Sequence, residues 1–171
     1  MSLGDLGSLG SFLAAIAVLI TLIFLSRQVK QGNALARLQV RQTMHEHDIA
    51  GLRMLEQDLG ITRGFLGKEA SKDDILRLHY FLTLSMRQRE WEWFQYRDGV
   101  IDESVFTTYH EVIAIHLGMP ITRAWWQTQG RTGLDPAFVE IVDRLLASRP
   151  ASDYMTVIDR FAEEHRAAGR D

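Results

Sequence analysis

The run His45, Glu46, His47 and Asp48 is the most metal-like cluster in the sequence, because imidazole and carboxylate groups are common metal ligands. On a helix, however, residues two positions apart point about 200° apart and cannot share an ion. We therefore predict no metal site. His45 falls on an apolar stripe and His47 lies nearly opposite, which predicts a buried or interfacial histidine beside a solvated one. A pH-sensing role for His45 is the functional alternative.

Other local patterns that support catalysis or cofactor binding are missing. A di-iron bundle needs a glutamate followed three residues later by histidine, and no glutamate has that partner. His110 and His116 do not share a helical face, and His79 stands alone. Glu90 and Glu92 diverge on a helix, and neither a glycine-flanked serine nor a glycine-rich phosphate loop occurs. We predict no catalytic residue, no metal, no cofactor and no enzymatic activity.

Aromatic side chains with neighbouring arginines form the best candidate binding cluster. Such a set can act as a cation-binding cage, a partner anchor or a patch on the membrane surface. The competing interpretation is a core of large rings with arginines stacked at its edge. The candidate ligand or partner residues are Trp91, Tyr96, Arg97, Asp102, Arg123, Trp125 and Trp126, with Trp93 and Phe94 nearby.

An apolar segment near the N-terminus must position the rest of the chain. No charged residue occurs between Asp5 and Arg27, and about 20 helical residues span the roughly 30 Å hydrocarbon layer. The flanks lack the features of a cleaved signal peptide, and a buried core helix is the alternative. Basic residues follow the span and none precedes it, which predicts an N-terminus facing outward. These basic residues are Arg27, Lys30, Arg37 and Arg41.

Small residues recur at four-residue spacing within this predicted membrane helix. Such stripes let two helix backbones approach closely in lipid, which favours self-association. The alternative is that glycine and alanine are simply common in membrane helices. The residues of the stripe are Gly7, Gly10, Ser11, Ala14 and Ala15.

The remaining sequence predicts an all-α protein, since no alternating strand pattern occurs. We expect a short external N-terminus at 1–7, a transmembrane helix at 8–26, a juxtamembrane helix at 27–60 and a helical bundle at 61–171. In the juxtamembrane helix, a leucine stripe either forms a weak coiled coil or packs on the bundle, and Gly60 ends the helix. The stripe contains Leu35, Leu38, Ile49, Leu52 and Leu59.

Five helices are expected in the bundle. Ser71 or Asp73 begins a long central helix that ends at Gly99, after a glycine-punctuated link containing Gly64. Asp102 and Asp135 cap two further helices, and a short helix covers 123–129. A last helix begins near Ser152 or Asp153 and is expected to bury Tyr154, Val157, Ile158 and Phe161.

Composition excludes several classes of partner and chemistry. The absence of cysteine removes disulfides, thiolate metal sites and cysteine nucleophiles. The net charge is −3 and the soluble part has no run of basic residues, so no nucleic-acid partner is expected. The length of 171 residues suits one domain with an appendage.

The sequence resembles a widespread group of bacterial single-pass membrane proteins of unknown function. In that group the anchor continues into a Q-V-K-Q-like segment, here 28–31, although Gly32 departs from the usual larger residue and suggests a hinge. The resemblance implies the architecture and no reaction. It also implies that Tyr96, Arg97, Asp102, Arg123 and Trp126 meet in space. The matching positions are Trp91, Gln95, Tyr96, Arg97, Gly99, Ile101, Asp102, Glu103, Pro120, Arg123, Trp125, Trp126, Pro136, Phe138, Val142 and Asp143.

The leading hypothesis is a non-enzymatic, membrane-anchored interaction or accessory protein of the bacterial cytoplasmic membrane, with its C-terminal domain in the cytoplasm. It would act through homo-oligomerisation or as a subunit of a larger membrane complex, because tethering to a plane makes weak contacts sufficient. The alternative is a sensor with a small-ligand pocket near Trp91, Tyr96, Arg123 and Trp126. An oligomeric pore is third, with only Ser11 and Thr21 as polar lining.

Overall fold

The computed structural model describes residues 3–67, 69–151 and 154–168, and the described residues form helices without a strand. The all-α prediction is therefore confirmed at the level of these residues. Seven α-helices follow one another, with a π-helical turn at Trp126–Gly130 between the fifth and the sixth. They are α1 (Leu3–Gln57), α2 (Leu59–Leu66), α3 (Lys72–Arg97), α4 (Glu103–His116), α5 (Pro120–Trp125), α6 (Pro136–Ala147) and α7 (Tyr154–Ala168).

The chain divides into a first unit, Met1–Gln42, and a second unit, Thr43–Asp171. The first unit is the N-terminal part of α1, and its described side chains from Gly10 to Gln39 are exposed. Its most apolar window has a mean hydropathy of 2.1, and α1 is the one helix in the described ranges long and apolar enough to cross a membrane. The second unit begins within the segment predicted as a stalk at 27–60, so the last turns of α1 belong to the compact part of the protein.

The last turns of α1 turn a different face inward from the one that the leucine stripe predicted. Met44 is fully buried, whereas Leu52 is 62% exposed. The expected assignment of the two histidines is also reversed: His45 is exposed, and His47 is half-buried with its ring edge-on to Trp91, 5.7 Å between centroids. The inward face carries Asp48, which pairs with a buried arginine of α3. Packing of the leucine stripe on the bundle is therefore not observed at Leu52, and the coiled-coil interpretation of the stripe stays a prediction.

The glycine-punctuated link is itself a helix. α1 ends at Gln57, and Asp58 caps α2 by accepting a hydrogen bond from the Gly60 N–H at 2.9 Å, so Gly60 begins a helix rather than ending one. A Cβ added to Gly64 would lie 2.8 Å from the Asp74 carbonyl oxygen. Glycine at this position thus lets α2 lie directly against α3.

Gly64→Ala is expected to destabilise the second unit by about 1 to 3 kcal/mol, because the new methyl group meets the backbone of α3 and cannot be accommodated by a side-chain rotation. Gly51→Ala is the matched control. A Cβ at Gly51 has no atom within 4 Å, and alanine is the better helix former, so this variant should gain up to about 1 kcal/mol. Chemical denaturation measures both. Equal effects of the two substitutions would contradict the close packing of α2 on α3.

The predicted caps of α3, α4 and α6 are confirmed. Ser71 and Asp74 form a reciprocal capping box on α3, and Gly99, with φ at 71°, follows its end. Asp102 accepts from the Val105 N–H, and Asp135 accepts from the Ala137 N–H. Local hydrogen bonds of this kind involve residues two or three positions apart, so the sequence is sufficient to predict them.

The core of the second unit surrounds α3, as predicted for a central helix. Side chains of α3, α4, α6 and the π-helical turn are packed together there, including Phe81, Leu82, Met86, Ile113, Leu117, Trp126, Phe138 and Val142. The burial of Val157 and Phe161 predicted for α7 is wrong, because these side chains are 46% and 68% exposed. Ile158 is 39% exposed and lines a cavity, and the side chain of Tyr154 lies outside the described residues. The predicted caps Ser152 and Asp153 lie outside the described residues.

Candidate functional site

Four residues of the predicted aromatic cluster lie around the ends of α3 and α4. Trp91 contacts His47, as described above. The ring of Tyr96 stacks on Phe106, with centroids 4.5 Å apart and planes 7° apart. The remaining two are Arg97, whose guanidinium lies over the rings of Trp93 and Phe94, and Asp102, the cap of α4.

The other three predicted residues connect α5 and the π-helical turn to the rest of the second unit by hydrogen bonds. Arg123 donates hydrogen bonds to the carbonyl oxygens of Leu146 and Arg149, at 3.1 and 2.7 Å, and so neutralises the C-terminal end of α6. The other two are the tryptophans: the buried Trp126 donates from Nε1 to Asp143, and Trp125 donates from Nε1 to His79.

The meeting of Tyr96, Arg97, Asp102, Arg123 and Trp126 in space stays a prediction. Tyr96 and Arg97 contact rings near the end of α3 and the start of α4, whereas Arg123 and Trp126 are hydrogen-bonded to residues at the end of α6. Trp125 lines a small cavity of about 240 Å³ beside Thr83. The rings therefore act mainly as packing and anchoring groups, and the pocket of the sensor hypothesis has to be sought elsewhere.

A larger cavity with converging polar groups lies between the end of α1, α3 and α4. It has a volume of about 360 Å³. We call it the Arg89 cavity after the most buried charged residue in its wall. Its walls are mostly apolar, and the polar side chains that line it are His47, Asp48, Ser85, Gln88, Arg89 and His116.

Arg89 is the centre of a buried charge cluster. Its side chain is only 3% exposed, and its Nη2 atom lies 2.6 Å from the carboxylate of Asp48. Its Nη1 atom lies 2.9 Å from Glu92, which is 1% exposed, and its guanidinium lies 5.5 Å from the centroid of the Tyr109 ring. Burying a charge costs several kcal/mol unless partners compensate it. The three helices α1, α3 and α4 thus all contribute to holding this cation.

The cluster is incompletely hydrogen-bonded. Arg89 Nε and Nη1 and Glu92 Oε1 are buried atoms without a hydrogen-bond partner. Burial raises the pKa of Glu92 to about 8, against the opposing effect of Arg89, and Asp48 adds to the rise. At neutral pH Glu92 is therefore mostly protonated, and the cluster of Arg89, Asp48 and Glu92 carries no net charge.

Ser85 and His116 form a second polar pair in the same cavity. The Ser85 hydroxyl lies 2.7 Å from His116 Nδ1, and the imidazole packs edge-on against Phe81 at 5.4 Å. Burial lowers the pKa of His116 to about 4, with a further contribution from Arg89, so the imidazole is neutral at pH 7. A serine beside a neutral histidine supplies both a hydrogen-bond donor and an acceptor to a bound molecule.

Glu90 and Glu92 of α3, the two carboxylates that were considered as a catalytic pair, have different partners. Glu90 accepts hydrogen bonds from Arg87 and from the Asp135 N–H at the start of α6, whereas Glu92 faces Arg89. Within the described ranges, no group of three histidine, aspartate or glutamate side chains is placed to hold a metal ion.

Sequence reasoning missed the Arg89 cavity because its polar contacts join distant positions. Asp48 and Arg89 are 41 residues apart, and Ser85 and His116 are 31 residues apart. One signal was available. The sequence of α3 has apolar residues around nearly its whole circumference, and it also contains Arg89 and Glu92, three residues apart. Charged residues in a helix that is packed on all sides indicate a buried ion pair.

No protein-family model, curated protein or solved structure matches this chain. The resemblance to bacterial single-pass membrane proteins stays a prediction, and a functional proposal has to rest on the geometry of the Arg89 cavity.

Proposed function

We propose that this protein is a membrane-anchored sensor module whose helical unit binds a small ligand in the Arg89 cavity. The observation that carries this proposal is the convergence of Asp48, Ser85, Arg89 and His116 on one mostly apolar cavity of about 360 Å³. Small-molecule sites are typically concave, mostly apolar and supplied with a few well-placed polar groups, with volumes of about 300 to 1,000 Å³. Groups with strongly shifted pKa values, here Glu92 and His116, also concentrate at functional sites.

The anchor places this module at the membrane in the same proposal. An apolar helix followed by basic residues favours an outward N-terminus and a cytoplasmic location of the second unit in a bacterial cell. The exposure of the apolar window supports contact with lipid rather than a place in a protein core. Alkaline carbonate extraction and reporter fusions at both termini test the location and the orientation.

The variant Gly51→Leu tests ligand binding in the cavity. Gly51 lines the Arg89 cavity, and a Cβ built there meets no atom within 4 Å, so a leucine side chain has room to occupy part of the cavity without displacing a helix. We expect native mass spectrometry of the full-length protein, extracted with its membrane lipids, to detect a small bound molecule that Gly51→Leu loses. The melting temperature should be unchanged or higher, because leucine favours the helix.

Gly32→Leu is the matched control for this experiment. It is the same substitution in the same helix, also in open space, but Gly32 does not line the cavity. It should retain the bound molecule. The proposal would be contradicted if Gly51→Leu retained the bound molecule. It would also be contradicted if the wild-type protein carried no molecule and no fraction of a cell extract raised its melting temperature more than that of Gly51→Leu.

Association through α1 is a second candidate function, as expected for an accessory subunit of a membrane complex or for a homo-oligomer. The specific observation is the exposure of Leu35 and Leu38 by 66% and 62%, at positions beyond the apolar span. In the span, side chains added to Gly7 or Gly10 would meet nothing within 4 Å, which leaves room for a second helix. Native mass spectrometry of the full-length protein and of Gly10→Leu measures the oligomer directly.

The pore hypothesis receives no comparable support. Both polar side chains of the span are hydrogen-bonded within their own helix: the Ser11 hydroxyl donates to the Gly7 carbonyl oxygen and the Thr21 hydroxyl to that of Ala17. Such side chains do not require an aqueous path to satisfy them.

A further inference from the structure

A second cavity, of about 470 Å³, adjoins the Arg89 cavity. The two share four residues of their walls, namely Leu52, Leu55, Ile115 and His116. The additional lining of the second cavity is almost wholly apolar and consists of Thr62, Phe65, Leu66, Met119 and Ile158. The second unit thus contains two adjacent cavities, of which the Arg89 cavity carries most of the polar groups and the second one is mainly apolar.

The shared wall lies at the surface. Leu52 is 62% exposed and Ile115 is 58% exposed, although both side chains are large and apolar. Because these two residues border both cavities, a long ligand can enter from the surface between the end of α1 and α4. Covering them with an apolar chain would also remove their hydrophobic surface from water.

The polar end has donors and acceptors but no uncompensated charge. The Arg89 guanidinium is paired with Asp48, and Ser85 and Gln88 are neutral. The Arg89 side chain is only 3% exposed, so its charge stays paired inside the protein. Ser85 and His116 line the cavity as neutral groups, and together they supply a hydrogen-bond donor and an acceptor to a ligand.

We infer that the two cavities together bind an uncharged single-chain amphiphile, with a hydroxyl or ester head group beside Ser85 and Arg89 and its apolar chain beside Leu55 and Phe65. This inference rests on the proposed function and names its ligand class. A carboxylate head group would have to compete with Asp48 for Arg89, and an ammonium head group would lie against the arginine. A hydroxyl group donates and accepts hydrogen bonds without adding a charge to a buried site.

Photolabelling of the full-length protein in lipid nanodiscs tests the ligand class. Three probes share a 16-carbon chain with a diazirine and differ only in the head group: a 1-monoacylglycerol, a fatty acid and an alkyltrimethylammonium. We expect the monoacylglycerol probe to label peptides that contain Leu52, Leu55, Phe65 or Ile115. The monoacylglycerol probe should label these peptides about tenfold or more strongly than either charged probe, because a charged head group would be buried there without a free partner.

Two controls make the labelling specific. Unlabelled 1-monopalmitoylglycerol should compete, and Gly51→Leu should lose the label beside Leu52 and Leu55 while Gly32→Leu keeps it. Equal labelling by the three probes would overturn the inference, because the polar end would then play no part in recognition. Labelling confined to α1 before residue 43, or crosslinking of these peptides to a second copy of the chain, would overturn it as well.

The outcomes separate this inference from the proposed function. If native mass spectrometry finds a different molecule that Gly51→Leu loses, while the monoacylglycerol probe does not label the cavities, the ligand class is wrong and the sensor proposal stands. If neither experiment detects binding that depends on Gly51, both proposals are wrong.

Discussion

Arg89→Met is expected to destabilise the second unit by about 3 to 5 kcal/mol, because it leaves the carboxylate of Asp48 without the buried cation that compensates it. Part of this loss is packing, since the aliphatic part of the arginine lies within the core and its guanidinium lies over Tyr109. Urea denaturation of the full-length protein in detergent, followed by tryptophan fluorescence, measures the change in the free energy of unfolding.

Two comparisons distinguish a buried charge effect from a general loss of an arginine. Arg77→Met removes an arginine from the same helix that pairs with Asp58 and Asp73 at the surface, and its effect should be much smaller. The double variant Arg89→Met with Asp48→Leu should recover a large part of the loss, because replacing both members of the pair by apolar residues removes the uncompensated carboxylate. A double variant as unstable as Arg89→Met would contradict this account.

Glu92→Gln is expected to make the protein more stable than the wild type as the pH rises. In the folded protein the pKa of Glu92 is raised to about 8, from an ordinary value of 4.5. Between these pH values the folded state retains a proton that the unfolded chain has released. The wild type therefore loses stability relative to Glu92→Gln by up to about 1.4 kcal/mol per pH unit, and the difference stops growing above pH 8.

The difference in unfolding free energy between the wild type and Glu92→Gln reports the titration of Glu92 alone. His116 acts in the opposite direction, since its pKa is lowered to about 4 and the folded state resists protonation below pH 6.5. This contribution is the same in the wild type and in Glu92→Gln, so it cancels in the comparison. Denaturation curves at pH 5, 6, 7 and 8 provide the test. Parallel stability profiles for the two proteins would show that Glu92 does not hold a proton in the folded state.

A buried charge cluster that lowers stability needs a compensating role. Replacing such clusters by apolar residues often stabilises a protein, and departures from ideal packing concentrate where a protein performs its function. Arg89 and Asp48 both line a cavity rather than a filled core. We therefore expect the residues that cost stability here to be those that recognise the ligand.

The helical class, the apolar span and the caps of the main helices could all be predicted from local sequence patterns. Capping by Ser71, Asp102 and Asp135 depends on a polar side chain and on backbone groups two or three residues away. An apolar span is recognised from its length and its lack of charge. These features are local, so no knowledge of the packing of distant helices is needed to predict them.

The buried faces of the helices and the position of a ligand site depend on contacts between residues that are distant in the sequence. Leucine spacing pointed to Leu52 as an inward residue of α1, but the packed face includes Asp48, because Arg89 on another helix supplies its counterion. Likewise α7 has an amphipathic sequence and an exposed apolar face. Periodicity gives the relative positions of side chains on one helix, whereas the face that is buried depends on the shape and charge of the partner helices. The Arg89 cavity follows from those partners, since residues far apart in the chain form its polar end.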